Sequence, residues 1–350
     1  MRLNNRFALP LAGLATLALS GCTSIGARGL ELSRTAFNTA IQQTDAEQLL
    51  LNIVRQRYSD PVMFLEVASI SSSMSRVSNL NLTSMIPGGG RPNTYTGVLG
   101  GSFTDTPLVI YSPNTGEKFV RQILTPIDLR TISLLLQAGW SIERVLLVAG
   151  ESFAGLSNST TAAADYRTLV DHLRTLQRSE QLTFAFEIQN KVDTLVMTPA
   201  APARETTAYK EACRLMNIPA DGRPISVRLG VGEKFDDAQV SLGTRSLYAS
   251  FYFLANGVEP PTDDLQTGVL QRRRLEGGAF DGGGDLFRIR TSSQRPQDAT
   301  VKVRYRDQWF YIAATDPDTR TTFSLLSMML TLQSGDSTRL TPLISVSSGP

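Results

Sequence analysis

Apolar positions along the chain alternate between two periods. Leu49, Leu50, Ile53 and Val54 recur at the spacing of one helical face. Ahead of them, Thr44-Asp45-Ala46-Glu47 has the form of a capping box, with Glu47 placed to reach back to the Thr44 amide. Residues 23–30 therefore read as a short tether, followed by a helix that the box allows in two pieces. Ser59-Asp60-Pro61 stops it. From Val62 to Ile86 the pattern is extended. Val67, Ser69, Ser71 and Ser73 fall on one side, and Ala68, Ile70 and Ser72 on the other. A strand so rich in Ser and Asn has a weakly apolar face, pairs loosely and suits a sheet edge. The glycines between 87 and 101 predict a long loop or a wide hairpin tip, and Pro107 to Tyr111 a second extended stretch.

The helical period then returns. Thr125-Pro126-Ile127-Asp128 predicts an N-cap, an N1 proline and an acid at N3. Leu129, Ile132, Leu135 and Leu136 follow on one face, and Gly139 ends the helix. Ile142, Val145, Leu146, Ala149, Phe153 and Leu156 predict one continuous helix, and Tyr166, Leu169, Val170, Leu173 and Leu176 another. Three helices joined by short turns imply a helical layer. Strands are predicted at Leu182 to Ile188, Val192 to Met197 and Ile225 to Leu229, and helices at Tyr209 to Met216 and Leu247 to Val258. Residues 262–285 read as loop. The tail holds a hairpin, Val301 to Tyr305 with Trp309 to Ala313, a helix opened by Asp316-Pro317, and a short strand at Leu343 to Val346. The fold class expected is α+β, a helical layer packed on a mostly antiparallel sheet with a lipidated N-terminal tether. The body would span 31–350, with a division into subdomains 31–200 and 201–350 left open.

The first residues carry a separate signal. Arg2 and Arg6 precede the apolar stretch Phe7 to Leu19, which is short for a bilayer span of ~20 residues. It ends in Leu19-Ser20-Gly21-Cys22, which resembles the lipobox of bacterial lipoproteins at every position. The resemblance implies a signal peptide, 1–21, cut between Gly21 and Cys22. It further implies a diacylglyceryl group on the Cys22 thiol and a lipidated tether at 22–30. Small residues at 20 and 21 let an extended backbone enter a peptidase groove, and two or three acyl chains suffice for stable anchoring. Thr23 stands where an Asp would imply retention in the inner membrane, so the family pattern implies the outer membrane, facing the periplasm.

Three further segments are similar to a family of uncharacterised bacterial lipoproteins: Glu47 to Ile70, Thr244 to Pro261 and Arg304 to Gly335. That family implies no activity. Removal of the signal takes two arginines and no acids, leaving 32 basic against 32 acidic residues. A net charge near zero offers no basic field for nucleic acid. With Cys22 taken by lipid, Cys213 has no intramolecular disulfide partner; the spacing Tyr209, Ala212, Cys213, Met216 puts it on an apolar helix face.

Chemistry-bearing motifs are few. Gly150-Glu151-Ser152-Phe153-Ala154-Gly155 resembles the nucleophile segment of serine carboxypeptidases. A nucleophile elbow sets Ser at a strand-to-helix turn, with an acid and then a His later in the chain. The helical spacing across 142–156 argues against a turn at Ser152, and the one histidine, His172, follows only 20 residues on. Ser152 and His172 are therefore weak catalytic candidates. His172 sits on the flank of its helix's apolar stripe, where a boundary histidine is expected. No metal site is expected: one His and no free Cys pair do not build a transition-metal centre. Asp281 and Asp285 about Gly282-Gly283-Gly284 fall short of a calcium loop. Gly97 to Gly101 lacks the Lys-Ser/Thr of a phosphate loop. Arg272-Arg273-Arg274 reads as a solvated charge run.

These readings favour a non-enzymatic interaction or scaffolding module of the cell envelope, joined to the membrane by its lipid. It would carry no cofactor beyond that lipid and would have an envelope protein as partner. The Ser/Asn-rich segment 67–86 would be the edge strand for β-augmentation. An envelope-polymer hydrolase and a small-ligand-binding lipoprotein are the alternatives. The anchor is directly testable. Cys22→Ser is expected to yield a chain without acyl mass that leaves the membrane fraction on carbonate washing; intact-mass measurement of wild type without added acyl chains would refute the lipobox reading.

Overall fold

The computed structural model describes residues 25–85, 94–113, 116–158, 163–230, 238–270 and 286–334. Gly21, Cys22 and the signal segment, the Gly88–Gly90 run, Arg272–Arg274, Asp281–Asp285 and the strand expected at 343–346 lie outside these residues. The chain divides into two units, Met63–Phe119 and the described residues on either side of it.

In chain order, α1 (Ile25–Arg57) is followed by β1 (Leu65–Met85) and β2 (Thr94–Pro113). Next come α2 (Glu117–Leu124), α3 (Leu129–Gln137), α4 (Ile142–Ala149), β3 (Gly150–Phe153), β4 (Leu156–Ser157) and α5 (Ala163–Arg178). The hairpin β5 (Leu182–Gln189) and β6 (Val192–Pro199) leads through a 3-10 turn to α6 (Thr207–Met216), β7 (Ile225–Leu229), β8 (Gln239–Thr244), α7 (Leu247–Leu254) and α8 (Thr262–Gln266). The last described elements are β9 (Arg290–Ser292), β10 (Ala299–Tyr305), β11 (Gln308–Ala313) and α9 (Pro317–Ser334).

In the larger unit, six strands form one sheet in the order β4-β3-β8-β7-β6-β5, antiparallel throughout except for the parallel pair β7–β8. The sheet draws strands from both sides of residue 200. α3 lies against β5 and β6, and α5 packs on α4 and α6. This is the expected α+β class, a helical layer on a mostly antiparallel sheet. A smaller antiparallel sheet, β10-β11-β9, packs against α1 through β10. Leu50, Ile53 and Val54 of α1, with Phe251 of α7 and Phe310 of β11, are wholly buried.

Local details depart from the sequence pattern where a tertiary partner intervenes. α1 is one unbroken helix, so the tether is helical from Ile25 and the capping box is not used. Thr44 Oγ1 donates to the Ile41 carbonyl one turn back at 3.0 Å, and Glu47 accepts from Gln43 Nε2 at 2.9 Å. A hydroxyl bonded backward along the helix lets it continue. The N-cap expected at Thr125 is instead Asp128, whose Oδ1 accepts from the Thr131 amide at 2.6 Å. Pro126 has been drawn away into a bridge with Ser246. Gly97 to Gly101, expected in a loop, lies within β2.

The largest departure is at the end of α4. The apolar spacing predicted a helix through Leu156, but the helix ends at Ala149 and the chain turns into β3. Arg245 enforces the stop. Its side chain is buried, and its Nη1 donates to the carbonyls of Leu147 and Val148 at 3.3 Å and to that of Gly150. Nη2 donates to the Asn158 carbonyl at 2.9 Å, and the guanidinium lies 4.0 Å from the centre of the Phe253 ring. The Arg245 amide donates to the Ala149 carbonyl at 2.7 Å, so the backbone of the next strand takes over where the helix ladder ends. Asn158 Nδ2 satisfies Leu147 and Gly150 from the other side, and Tyr166 Oη donates to the Leu146 carbonyl at 2.8 Å. The last carbonyls of a helix need partners, and a cation is favourable there. Burial lowers the Arg245 pKa from its ordinary value, but the carbonyl cluster is suited only to the charged form.

Arg245→Met is expected to lower the unfolding free energy by about 3 kcal/mol or more, since it removes charge-assisted bonds to four carbonyls at once. Arg245→Lys, which keeps the charge but not the fork, is expected to lose about 2 kcal/mol. Urea unfolding of the mature chain measures both, and a Lys variant as stable as wild type would show that the fork geometry does not matter.

Candidate interaction surface

The Met63–Phe119 unit is built on one long antiparallel ribbon. β1 and β2 pair from Leu65 opposite Pro113 to Met85 opposite Thr94, with one irregularity between Val67 and Ser69 that breaks the even alternation expected there. Near its base, the Phe64 and Phe119 rings meet edge to face at 5.6 Å. Val, Ile and Thr favour extended backbone in both strands, which continue through Ser-rich and Gly-containing stretches. Among the described residues the two strands form a sheet of their own, with no third strand on either side. Both edges thus lack a further strand among the described residues, and such an edge is the usual template for strand addition. A two-stranded hairpin by itself is marginally stable in water. The Ser/Asn-rich segment singled out for β-augmentation is β1 of this ribbon.

The serine and histidine candidates are not joined. Ser152 lies on β3, opposite Gly243 of β8 and Ser157 of β4, and not in a helix. The turn that precedes it runs from helix to strand, the reverse of a nucleophile elbow. Its Oγ is buried without a hydrogen-bond partner, whereas an activated serine would bond its base. His172 sits half-buried on α5. Cys213 is buried on α6 as its spacing predicted, and burial raises its pKa, which disfavours the reactive thiolate. Among the described residues no group of three His, Cys, Asp or Glu side chains is placed to hold a metal ion, and no helix is long and apolar enough to cross a membrane.

A second polar cluster, not foreseen from the sequence, ties α1 to the far end of the chain. Tyr58 donates its hydroxyl to Asp264, and Tyr305 donates to Asp60. Arg306 bonds Asp60 at 3.2 Å and lies 5.0 Å from the centre of the Tyr58 ring. The two tyrosine rings meet edge to face at 5.4 Å. Arg306 and Asp307 form the β10–β11 turn with φ of 46° and 63°, a conformation that Asn and Gly adopt more readily. Hydrogen bonding from Tyr305, helped by Arg306, outweighs burial and holds the Asp60 carboxyl below the usual carboxylate range. Burial and then the carboxylate partners raise both tyrosines above their ordinary value, so both stay protonated as donors. Every member already has a partner within the cluster, which makes it a clasp between distant segments.

An open groove of about 610 Å³ lies among Ala46, Trp140, Val301, Ile312, Arg320 and Phe323. Its size suits a small ligand. Arg320 Nη1, its one charged group, already donates to the Ala314 carbonyl at 3.1 Å. Comparison with protein-family models, with curated proteins and with solved structures finds no match.

The clasp has a defined pH signature. A carboxyl whose folded pKa is depressed contributes stability above its unfolded pKa of about 3.9, and that contribution disappears as pH falls through the folded value. Asp60→Asn is therefore expected to reduce stability at pH 7 and to flatten the loss of stability below about pH 4. The tyrosines act with the opposite sign, their contribution being lost as pH rises above about 10. Thermal unfolding of both proteins across the acid range checks the first effect; parallel curves with no change in slope would refute the Asp60 assignment.

Proposed function

We propose that the chain is a bacterial lipoprotein held by lipid on Cys22 to the outer membrane, facing the periplasm, whose body is a non-enzymatic interaction or scaffolding module of the cell envelope. The observation that carries the interaction role is the β1–β2 ribbon, a long strand pair with two open edges among the described residues. The lipobox Leu19-Ser20-Gly21-Cys22 supports the anchor, and its family pattern with Thr23 supports the membrane. The near-neutral mature charge favours protein over nucleic acid as partner. Main-chain bonds along an open edge supply affinity, and the alternating side chains supply choice of partner.

Affinity isolation of the lipidated protein from detergent-solubilised membranes tests this reading. Wild type is compared with a variant in which residues 66–112 are exchanged for a short Gly-Ser linker. A defined set of envelope proteins recovered with wild type and lost with the variant is expected, copies of the chain itself included. Identical recovery from both would remove the ribbon as the interaction surface. Stoichiometric labelling of Ser152 by a fluorophosphonate, abolished in Ser152→Ala, would overturn the non-enzymatic reading itself.

A further inference from the structure

We infer that the edges of the β1–β2 ribbon are covered by the same ribbon of further copies of this chain, which close into a ring and form a membrane-spanning β-barrel. The inference rests on the proposed lipid-anchored interaction module and names its partner.

The register carries the argument. From Val77 opposite Ser102 to Met85 opposite Thr94, nine consecutive pairs contain no Asp, Glu, Lys, Arg or His. A transmembrane β-strand needs about 9–11 residues. Charges stand just below this block, at Arg76 and Asp105. Within it the two faces of the ribbon differ. The face that includes the pairs Leu80–Leu99 and Leu82–Gly97 carries three leucines and Tyr95, with Ser78 and Ser84 as its polar residues. The other face carries Asn79, Asn81, Thr83, Thr94, Thr96 and Ser102, together with Val77, Met85 and Val98. Leucines on one face and every Asn and Thr of the block on the other, with period two, is the bias of strands that divide lipid from a watery lumen.

Aromatic residues bound the leucine face at both ends. Tyr95 and Phe103 belong to the same alternate set and stand eight positions apart. At ~3.4 Å per residue that is about 27 Å along the strand, or about 20 Å across a membrane at a tilt near 40°. Girdles of aromatic residues flanking an apolar band of about 25 Å are the usual arrangement.

The open edges identify the occupant. In hydrocarbon every backbone N–H and C=O needs a partner, so an open ribbon is inadmissible and a closed barrel is required. A foreign strand added to β1 would leave β2 open. Another copy satisfies both edges with one repeated contact, β2 of one protomer against β1 of the next, which continues the antiparallel order. A repeated head-to-tail contact closes into a ring where the rotation between copies permits, and a bilayer admits only the closed form.

Full-length lipidated protein in dodecyl maltoside, weighed by native mass spectrometry, tests the ring. The same protein is reconstituted into phosphatidylethanolamine–phosphatidylglycerol vesicles loaded with self-quenched carboxyfluorescein. The expected mass is one whole multiple of the chain, and the expected dye release is at least tenfold above protein-free vesicles. Leu80→Arg puts a charge on the lipid-side face and is expected to cut release at least tenfold. Asn81→Arg, one position on and on the other face, is expected to keep release within about twofold, because lumen positions tolerate charge. The Gly-Ser variant at 66–112, shown by circular dichroism to keep its folded body, is expected to be monomeric. A monomeric wild type, an oligomer that survives loss of the ribbon, absence of dye release, or equal effects of the two arginine substitutions would each overturn the inference. A monomeric wild type that still recovers a ribbon-dependent envelope protein in the isolation experiment refutes the ring and leaves the interaction reading standing; Ser152 labelling refutes that reading.

Discussion

The guanidinium of Arg245 is the point at which the larger unit is fastened. A helix that stops in the interior leaves carbonyls that must find donors, and at the end of α4 those carbonyls belong to Leu146, Leu147 and Val148. One planar cation reaches two of them, together with the carbonyls of Gly150 and Asn158 in the following hairpin. That single group lets α4 end, β3 begin and β8 lie alongside it. Gly150 is the hinge: a Cβ there would meet the Tyr166 hydroxyl and would come within 2.6 Å of the Leu146 carbonyl. Because Arg245 immediately follows β8 and precedes α7, the same fastening sets where the buried α7 packs against α1 and α4. The charge is retained in the interior because it is matched by oriented carbonyl dipoles and the face of Phe253.

A different constraint governs the smaller unit. The sheets of the larger unit also end on edge strands, β4, β5, β9 and β10, but these are short, at 2, 8, 3 and 7 residues. Among the described residues the ribbon is made of edge strands alone. Soluble proteins usually protect such edges with charges, prolines or short strands. Here the strands are long, and the stretch from Val77 to Met85 carries none of those devices. In the proposed assembly such an edge would be covered by the next copy. The lipid expected on Cys22 would hold every copy to the same surface, which raises the local concentration of edges that can meet.

The clasp of Tyr58, Asp60, Asp264, Tyr305 and Arg306 shows how segments far apart in the chain are joined in this fold. The partners of its two tyrosine bonds are separated by 206 and 245 residues. No local spacing could announce it, since each residue alone is an ordinary helix-end, loop or turn residue. Its one local sign is the Arg306-Asp307 turn, where two side-chain-bearing residues take a backbone conformation suited to Asn-Gly. Arg306 keeps that place because its guanidinium serves Asp60 and the face of Tyr58 together.

Much of the architecture was legible because most elements bury one periodic face. The helix holding Cys213, the β5–β6 hairpin, the tail hairpin and the helix after Asp316 all follow from spacing alone, as does the α+β class. The proposed export and lipidation signal is of another kind, since a peptidase and a lipid transferase would read the linear sequence and not the fold. The pattern misled where two elements share one apolar run. Ile142 to Leu156 fits a single helical stripe, yet Phe153 is buried as part of a strand, because apolar spacing reports burial and does not say against what. The capping box at Thr44 failed for a local reason: the Thr44 hydroxyl bonds back to the Ile41 carbonyl and Glu47 pairs with Gln43, so the helix runs on through it. The sequence by itself determined which residues avoid water, because burial follows the apolar period of each element. Only the tertiary structure decided where α4 stops, which distant side chains meet in the clasp, and that β1 and β2 pair with each other alone among the described residues, because each of these is settled by hydrogen-bond partners that lie elsewhere in the chain.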